Sequence, residues 1–357
     1  MLNRQRFPRR TFLQGVGVAA ASQAFGQTAF SQTPNGEPNS QPNPYTKIVT
    51  DWAHLPAGMK WWGQVVGLDV DKDGNIWAFN RSHPLQAQVN VDTPGLLKFS
   101  PDGALLASWG KGMFALPHNM FIDRQGFIWT ADAEAKDGIG AQILKFDANG
   151  KVLLEIGTKG LQKEGANGES FASPTGVVVN SSGEIFVTDG HRGPGGHRIL
   201  KYAKDGKFIK TWGKMGSEPG NFRIPHAIAI DSQDRLFVVD RGNRRVQVFD
   251  SDGKFIAEWP QFGICETIYV AKGDVLYVAD ANSTAATKSP YKKGIRVASS
   301  KDGSVKYFVP EEVADDPDGG PTKGPVSLCA DSNGTIYATD IGTAVGYDKM
   351  MKKYVKG

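Results

Sequence analysis

One interval recurs six times in the chain and limits what it can fold into. His118 to Asp132, His226 to Asp240, Glu266 to Asp280, Val326 to Asp340, Thr175 to Asp189 and Val66 to Asn80 are each fourteen positions apart. Each interval brackets an alternating apolar strand, a polar turn carrying Gly or Asp, and a second strand, as in "NMFIDRQGFIWTAD" and "AIAIDSQDRLFVVD". Apolar residues at a period of two between turn formers are β structure, not helix. A third strand such as "QILKFDANG" and an outer one such as "KFIKTWG" then follow. Four short strands per unit, repeated six times, predict an all-β chain folded as a six-bladed β-propeller with four-stranded blades. The segment "KIVTDWAHLP" resembles the outer strands and is placed to close the last blade, a place for which the C-terminal "DKMMKKYVKG" competes. No second core is visible, so the propeller is expected over residues 45–357.

Residues 1–31 stand apart. A basic start, the pair Arg9 and Arg10 and a short apolar run read as an export signal of the twin-arginine type, with small-residue cleavage sites after Gly26 or Ser31. The expected location is therefore periplasmic or extracytoplasmic. The apolar run is far shorter than the roughly 20 residues of a membrane-spanning helix, and no membrane span is expected in the mature protein. Residues 32–44, "QTPNGEPNSQPNP", are turn formers and polar residues throughout and read as a disordered tether. The formal net charge of +4 includes Arg4, Arg6, Arg9 and Arg10. The mature chain is thus close to neutral, which gives no reason to expect nucleic acid or an anionic membrane as a partner. Two cysteines, Cys265 and Cys329, are too few for a disulfide framework and read as core thiols.

The constant register makes Val66, His118, Thr175, His226, Glu266 and Val326 structurally equivalent. Each sits at the entrance of the innermost strand of its blade and faces one mouth of the central channel. Two imidazoles and a carboxylate on rigid strands suit a divalent metal with positions left open for water or substrate. His118, His226 and Glu266 are accordingly the candidate metal ligands. His54, His83 and His197 have no matching context and read as structural or surface residues.

The repeat resembles the NHL-repeat propellers over nearly the whole mature chain. Within these, "LPHNMFID", "IPHAIAID", "FNR" at Arg81 and "VDR" at Arg241 resemble the peptidyl-α-hydroxyglycine α-amidating lyases. Those enzymes cut the N–Cα bond of a C-terminal α-hydroxyglycine, releasing glyoxylate and a peptide amide. The resemblance implies a zinc ion held by three histidines at inner-strand entrances of alternate blades, and His118 and His226 match two of them. The third match falls on Val326, which cannot bind a metal, and Glu266 is the replacement that the register offers. It also implies that Arg81 and Arg241 bind a substrate carboxylate, a task suited to a bidentate guanidinium. The family's tyrosine base, two residues after the Asp of blade three, is His191 here. An imidazole is a competent general base and equally a further metal ligand. The family's structural calcium lacks its Asp, which is Ser327 here. "EEVADDPDGG" at Glu311–Gly320 is acidic enough to attract calcium, and also reads as a solvated loop. Trp61 and Trp62 precede the first inner strand, where they would wall the mouth or pack between blades.

Two classes of function remain in view. The first is a metal-dependent, lyase-like enzyme acting on a small carboxylated or hydroxylated substrate or a peptide C-terminus, with zinc as the expected metal and His191, Arg81 and Arg241 as its catalytic residues. The second is a propeller that binds a ligand or protein partner without chemistry. A lactonase-like hydrolase is a further alternative, against which two histidines in the channel argue.

Overall fold

The computed structural model describes residues 40–55, 63–81, 94–191, 195–311, 324–340 and 351–357. The expected export signal, most of the expected tether, Trp61, Trp62, His83 and most of the acidic Glu311–Gly320 loop lie outside the described residues.

Among the described residues the strands form six four-stranded antiparallel sheets, the six blades of a propeller. The inner strands are β2 (Val65–Val70), β6 (Pro117–Ile122), β10 (Pro174–Val179), β14 (Pro225–Ile230), β18 (Cys265–Ala271) and β22 (Pro325–Ala330). Each packs against the inner strands of the blades on either side, so that β22 returns to β2 and the ring closes. Their partners are β3 (Ile76–Asn80), β7 (Ile128–Lys136), β11 (Ile185–Asp189), β15 (Leu236–Asp240), β19 (Val275–Asp280) and β23 (Ile336–Asp340). Five of these six end at the repeat's Asn or Asp; β7 runs on past Asp132 to Lys136, where it pairs with the lengthened third strand β8 (Ile139–Phe146).

The turns explain why the hairpins form where they do. At the first turn of blades 1, 2, 3, 4 and 6, one side-chain oxygen of Asp71, Asp123, Asn180, Asp231 or Asp331 accepts the backbone N–H groups two and four residues later. Asp and Asn favour such turns because the side chain replaces a backbone acceptor locally.

Packing follows the same repeat. The second strands are buried almost throughout, whereas outer strands such as β13 (Phe208–Trp212) and β17 (Phe255–Trp259) alternate between partly buried and exposed residues. Inner blade strands are covered on both faces by neighbouring blades, and an outer strand has one face in water. Each of the six apolar clusters is shared by two consecutive blades; Trp77 and Phe79 of blade 1, for example, pack with Phe114, Met120 and Phe146 of blade 2. Core stability therefore depends on neighbours around the whole ring. Cys265 and Cys329 are free, buried thiols within these clusters, as expected.

The two segments expected to compete for the last blade both belong to it. That sheet runs β1–β24–β23–β22, with the N-terminal β1 (Tyr45–Val49) outermost and the C-terminal β24 (Met351–Lys356) as third strand. Just before β1, Gln41 bridges to Tyr307 on the outer strand of the fifth blade, β21 (Val305–Pro310).

Side chains from several inner strands meet around Asp69. Asp69 on β2 accepts the backbone N–H groups of Val70 at 2.7 Å and Ile122 at 2.6 Å, and the Tyr269 hydroxyl of blade 5 reaches it from another part of the ring. The free cavity at this level is about 30 Å³, room for roughly one water. Burial raises the Asp69 carboxyl to a pKa of about 7.

Two outcomes follow from the closure and from the burial of Asp69. Tyr45 is 3% exposed and its hydroxyl donates to the Gly334 carbonyl at 3.0 Å. Tyr45→Ala is expected to destabilise the domain by about 3 kcal/mol in urea denaturation, with the exposed Lys47→Ala unchanged within about 0.5 kcal/mol. For Asp69 the folded pKa lies above the unfolded one, so its contribution is full at low pH and is lost as pH rises through about 7. Asp69→Asn should therefore lose less stability than the wild type between pH 5 and pH 8, read as the urea midpoint at each pH.

Candidate functional site

At the end of the ring where the second strands finish, each inner strand carries a register shift around its second residue. The shift falls between Val65 and Gly67, Pro117 and Asn119, Pro174 and Gly176, Pro225 and Ala227, Cys265 and Thr267, and Pro325 and Ser327. The residues in between are Val66, His118, Thr175, His226, Glu266 and Val326, the six that the fourteen-residue interval makes equivalent. They are therefore bulge residues within the inner strands rather than residues just ahead of them. A bulge leaves the extra residue out of the ladder and re-aims its side chain.

The terminal aspartates hold the approach to these bulges. Asp132 accepts the N–H groups of Ala115 at 2.7 Å and Leu116 at 2.5 Å, and Asp189 those of Ala172 and Ser173. Asp240 accepts from Arg223 and Asp280 from Ile264. The residue after the second strand bonds back to the same loop: Arg81 N–H to the Gln64 carbonyl, Gly190 to Ser173 and Arg241 to Ile224. Arg81, Gly190 and Arg241, with His191 next to Gly190, thus emerge at the mouth that carries the bulge residues.

His118 and His226 are oriented in the same way. The Nδ1 of His118 lies 2.8 Å from the carbonyl of Thr175, the bulge residue of the next blade. The Nδ1 of His226 lies 2.7 Å from the carbonyl of Glu266, again the bulge residue of the next blade. A carbonyl only accepts, so each Nδ1 carries the proton and each Nε2 presents its lone pair. Both rings are buried. Burial holds His226 well below the usual histidine range, reinforced by the charge of Arg241 and by the neighbouring His118 and His191. A neutral imidazole is the form that ligates a metal.

His191, half-buried, completes the group. The ring centroids of His118, His191 and His226 are 4.7, 4.7 and 5.1 Å apart, and one donor atom from each lies within 4.8 Å of the others. Nitrogens around one tetrahedral zinc, at roughly 2.0–2.1 Å from it, sit about 3.3 Å apart. The rings thus have little distance left to close. Imidazole nitrogen donors, two of them buried and fixed in tautomer by backbone carbonyls, suit a borderline metal such as zinc. Among the described residues this is the one set of three or more His, Cys, Asp or Glu side chains at such spacing.

The remaining candidates surround the cluster without joining it. Both carboxylate oxygens of Glu266 accept from Nη1 of Arg241 at 2.9 Å, and Asn282 Nδ2 donates to Oε1. Its Oε2 lies 3.3 Å from Nδ1 of His226, on the edge of the ring that carries the carbonyl bond. Arg241 keeps its side chain 22% exposed. Arg81 is buried, with Nε bonded to the Pro117 carbonyl at 2.9 Å and Nη1 to Gln64 Oε1 at 3.1 Å, directly behind His118. Val326 offers no ligand, and Glu311 pairs with Lys352 at 3.0 Å. His197 has positive φ beside the Gly195–Gly196 turn, and His54 bridges to Ala104. Asn282 was not anticipated, although it stands two residues after its blade's Asp, the offset that His191 has in blade three.

Comparison with known proteins places this site among relatives of mixed description. A family model described as a six-bladed β-propeller matches residues 174–313. NHL repeat-containing protein 3 of Mus musculus is 33% identical over 46% of this chain and 47% of its own length. The peptidylglycine α-amidating monooxygenase of Rattus norvegicus is 30% identical over 70% of this chain and 26% of its own. A probable peptidyl-α-hydroxyglycine α-amidating lyase of Caenorhabditis elegans is 30% identical over 53% of this chain and 56% of its own. The matched region thus spans between about a quarter and somewhat over half of these relatives. Among solved structures, a catalytically inactive virginiamycin B lyase of Staphylococcus aureus superposes with a TM-score of 0.52 at 15% identity, covering 86% of this chain and 88% of its own. That likeness bears on the fold. The chain is a six-bladed β-propeller with NHL-repeat proteins and amidating lyases among its sequence relatives.

Proposed function

We propose that the protein is an exported, metal-dependent enzyme of the lyase type, acting at this mouth on a small substrate or peptide end that carries a carboxylate and a hydroxyl. The observation that carries the reading is the convergence of His118, His191 and His226. Amidating lyases among the relatives favour lyase chemistry. A divalent ion held there, zinc by the nature of its donors, would supply Lewis-acid polarisation of a substrate oxygen.

The chain's own residues then take distinct tasks. His118 and His226 offer Nε2 from rigid strands, and His191 offers the third nitrogen from the loop after β11, in place of the ligand absent at Val326. Arg241 presents a part-exposed guanidinium to a substrate carboxylate. Arg81 keeps the Pro117 carbonyl, and with it the strand start at His118, in position. The predominance of nitrogen donors disfavours a lactonase-like site built on carboxylates and calcium. Residues 1–31 support export by the twin-arginine route.

Protein purified after export without chelators should contain about one equivalent of zinc, and His118→Ala, His191→Ala and His226→Ala should each fall to less than about a tenth of that. Metal is read by elemental analysis, and glyoxylate release from α-hydroxyglycine peptides tests the chemistry. A wild type without bound metal would leave a propeller that binds a partner and does no metal chemistry.

A further inference from the structure

The carboxylate of Glu266 is buried at the mouth of the channel, where it touches the three-histidine cluster only at Nδ1 of His226. We propose that Glu266 is a positioning residue that holds Arg241 as a carboxylate clamp beside the cluster and so selects substrates ending in a carboxylate. The proposal rests on the metal-site reading given above.

Three observations carry it. First, Arg241 Nη1 is shared by both Glu266 oxygens at 2.9 Å, while Asn282 holds Oε1 from the other side. The carboxylate therefore has two side-chain partners that fix its position, and it fixes that of Arg241 in turn. Second, this engagement uses Nη1 alone. Nε and Nη2 of Arg241 have no acceptor among the described residues, and the side chain is 22% exposed. Those two donors form one edge of the guanidinium, the edge that grips a carboxylate bidentately. Third, Glu266 lies against Nδ1 of His226, whereas the lone pair available to a metal is on Nε2 at the other edge of the ring.

The same residue thus serves two groups by different atoms. Its backbone carbonyl fixes the tautomer of His226, and its side chain fixes Arg241. Replacing the side chain alone separates the two. Arg241 and Arg81 are cations at this mouth, and Glu266 is the anion that faces Arg241.

The test uses zinc-loaded, full-length protein, with glycolate and its neutral amide glycolamide as probes in isothermal titration calorimetry. Wild type is expected to bind glycolate at least about tenfold more tightly than glycolamide, and Glu266→Gln and Arg241→Met should each lose most of that preference. The double variant should lose no more than either single one, because the two residues act as a unit. Zinc content should be unchanged in Glu266→Gln, since the backbone carbonyl remains. Should Glu266→Gln fail to fold, Asn282→Ala removes the carboxylate's second partner and should weaken the preference by about threefold. Loss of zinc in Glu266→Gln would make Glu266 a metal ligand and overturn the proposal. So would a zinc-loaded wild type whose preference survives in both single variants. A wild type that takes up no zinc overturns the reading of the metal site instead.

Discussion

The mouth of this propeller depends on one backbone device, the bulge at the second residue of each inner strand. A regular antiparallel ladder would use the main-chain groups of that residue and turn its side chain to a blade face. The bulge leaves the carbonyl outside the ladder, and in blades 3 and 5 that carbonyl accepts Nδ1 of the histidine from the preceding blade. The orientation of each imidazole is therefore set by its neighbour in the ring. Anything that shifts one blade against the next, including a loosened closure between β1 and β24, would reach the histidines through these two bonds.

Charge at the same mouth is arranged by contrast with the rest of the ring. Arg198 pairs with Asp189, Arg245 with Asp240 and Arg296 with Asp280, all buried, and these aspartates also accept backbone N–H groups. A buried pair held by further hydrogen bonds is structural: its desolvation is offset by them, and breaking it leaves an uncompensated charge. Arg241 and Glu266 differ. Among the described residues no backbone N–H is bonded to that carboxylate, and the guanidinium stays partly in water. A pair of this kind leaves donors of the guanidinium for something else to meet.

The fold was legible because it is periodic. Alternation gave the strands, the Asp-containing turns gave the hairpins, and the constant interval made six positions equivalent, with His118 and His226 among them. What register supplies is equivalence within the repeat, and the rest of the site lies outside the repeat. His191 reaches the cluster from a glycine-rich loop whose path no periodicity specifies. Glu266 shares the register of the histidines, but where its carboxylate points is decided by Arg241 and Asn282, one from the preceding blade and one from its own. Arg81 and Arg241 occupy the same place in their blades, yet one is buried behind His118 and the other reaches water. Gln64 and the Pro117 carbonyl make that difference, and neither has a pattern in the sequence that predicts it.

The side chains gathered around Asp69 give the site a direction. About 30 Å³ is free beside them, whereas the histidines and Arg241 lie at the bulge end of the inner strands, which is the end from which a substrate would reach them. The three imidazoles lie at that entrance rather than deep in the channel, so the end of a molecule is enough to reach them, and the rest can remain in solvent. A site of this form suits chemistry on a terminal group of a molecule of any length. The guanidinium of Arg241 at the rim would then be the first fixed charge that a terminal carboxylate meets, and its distance from the cluster would set which atom of the substrate lies against the imidazoles.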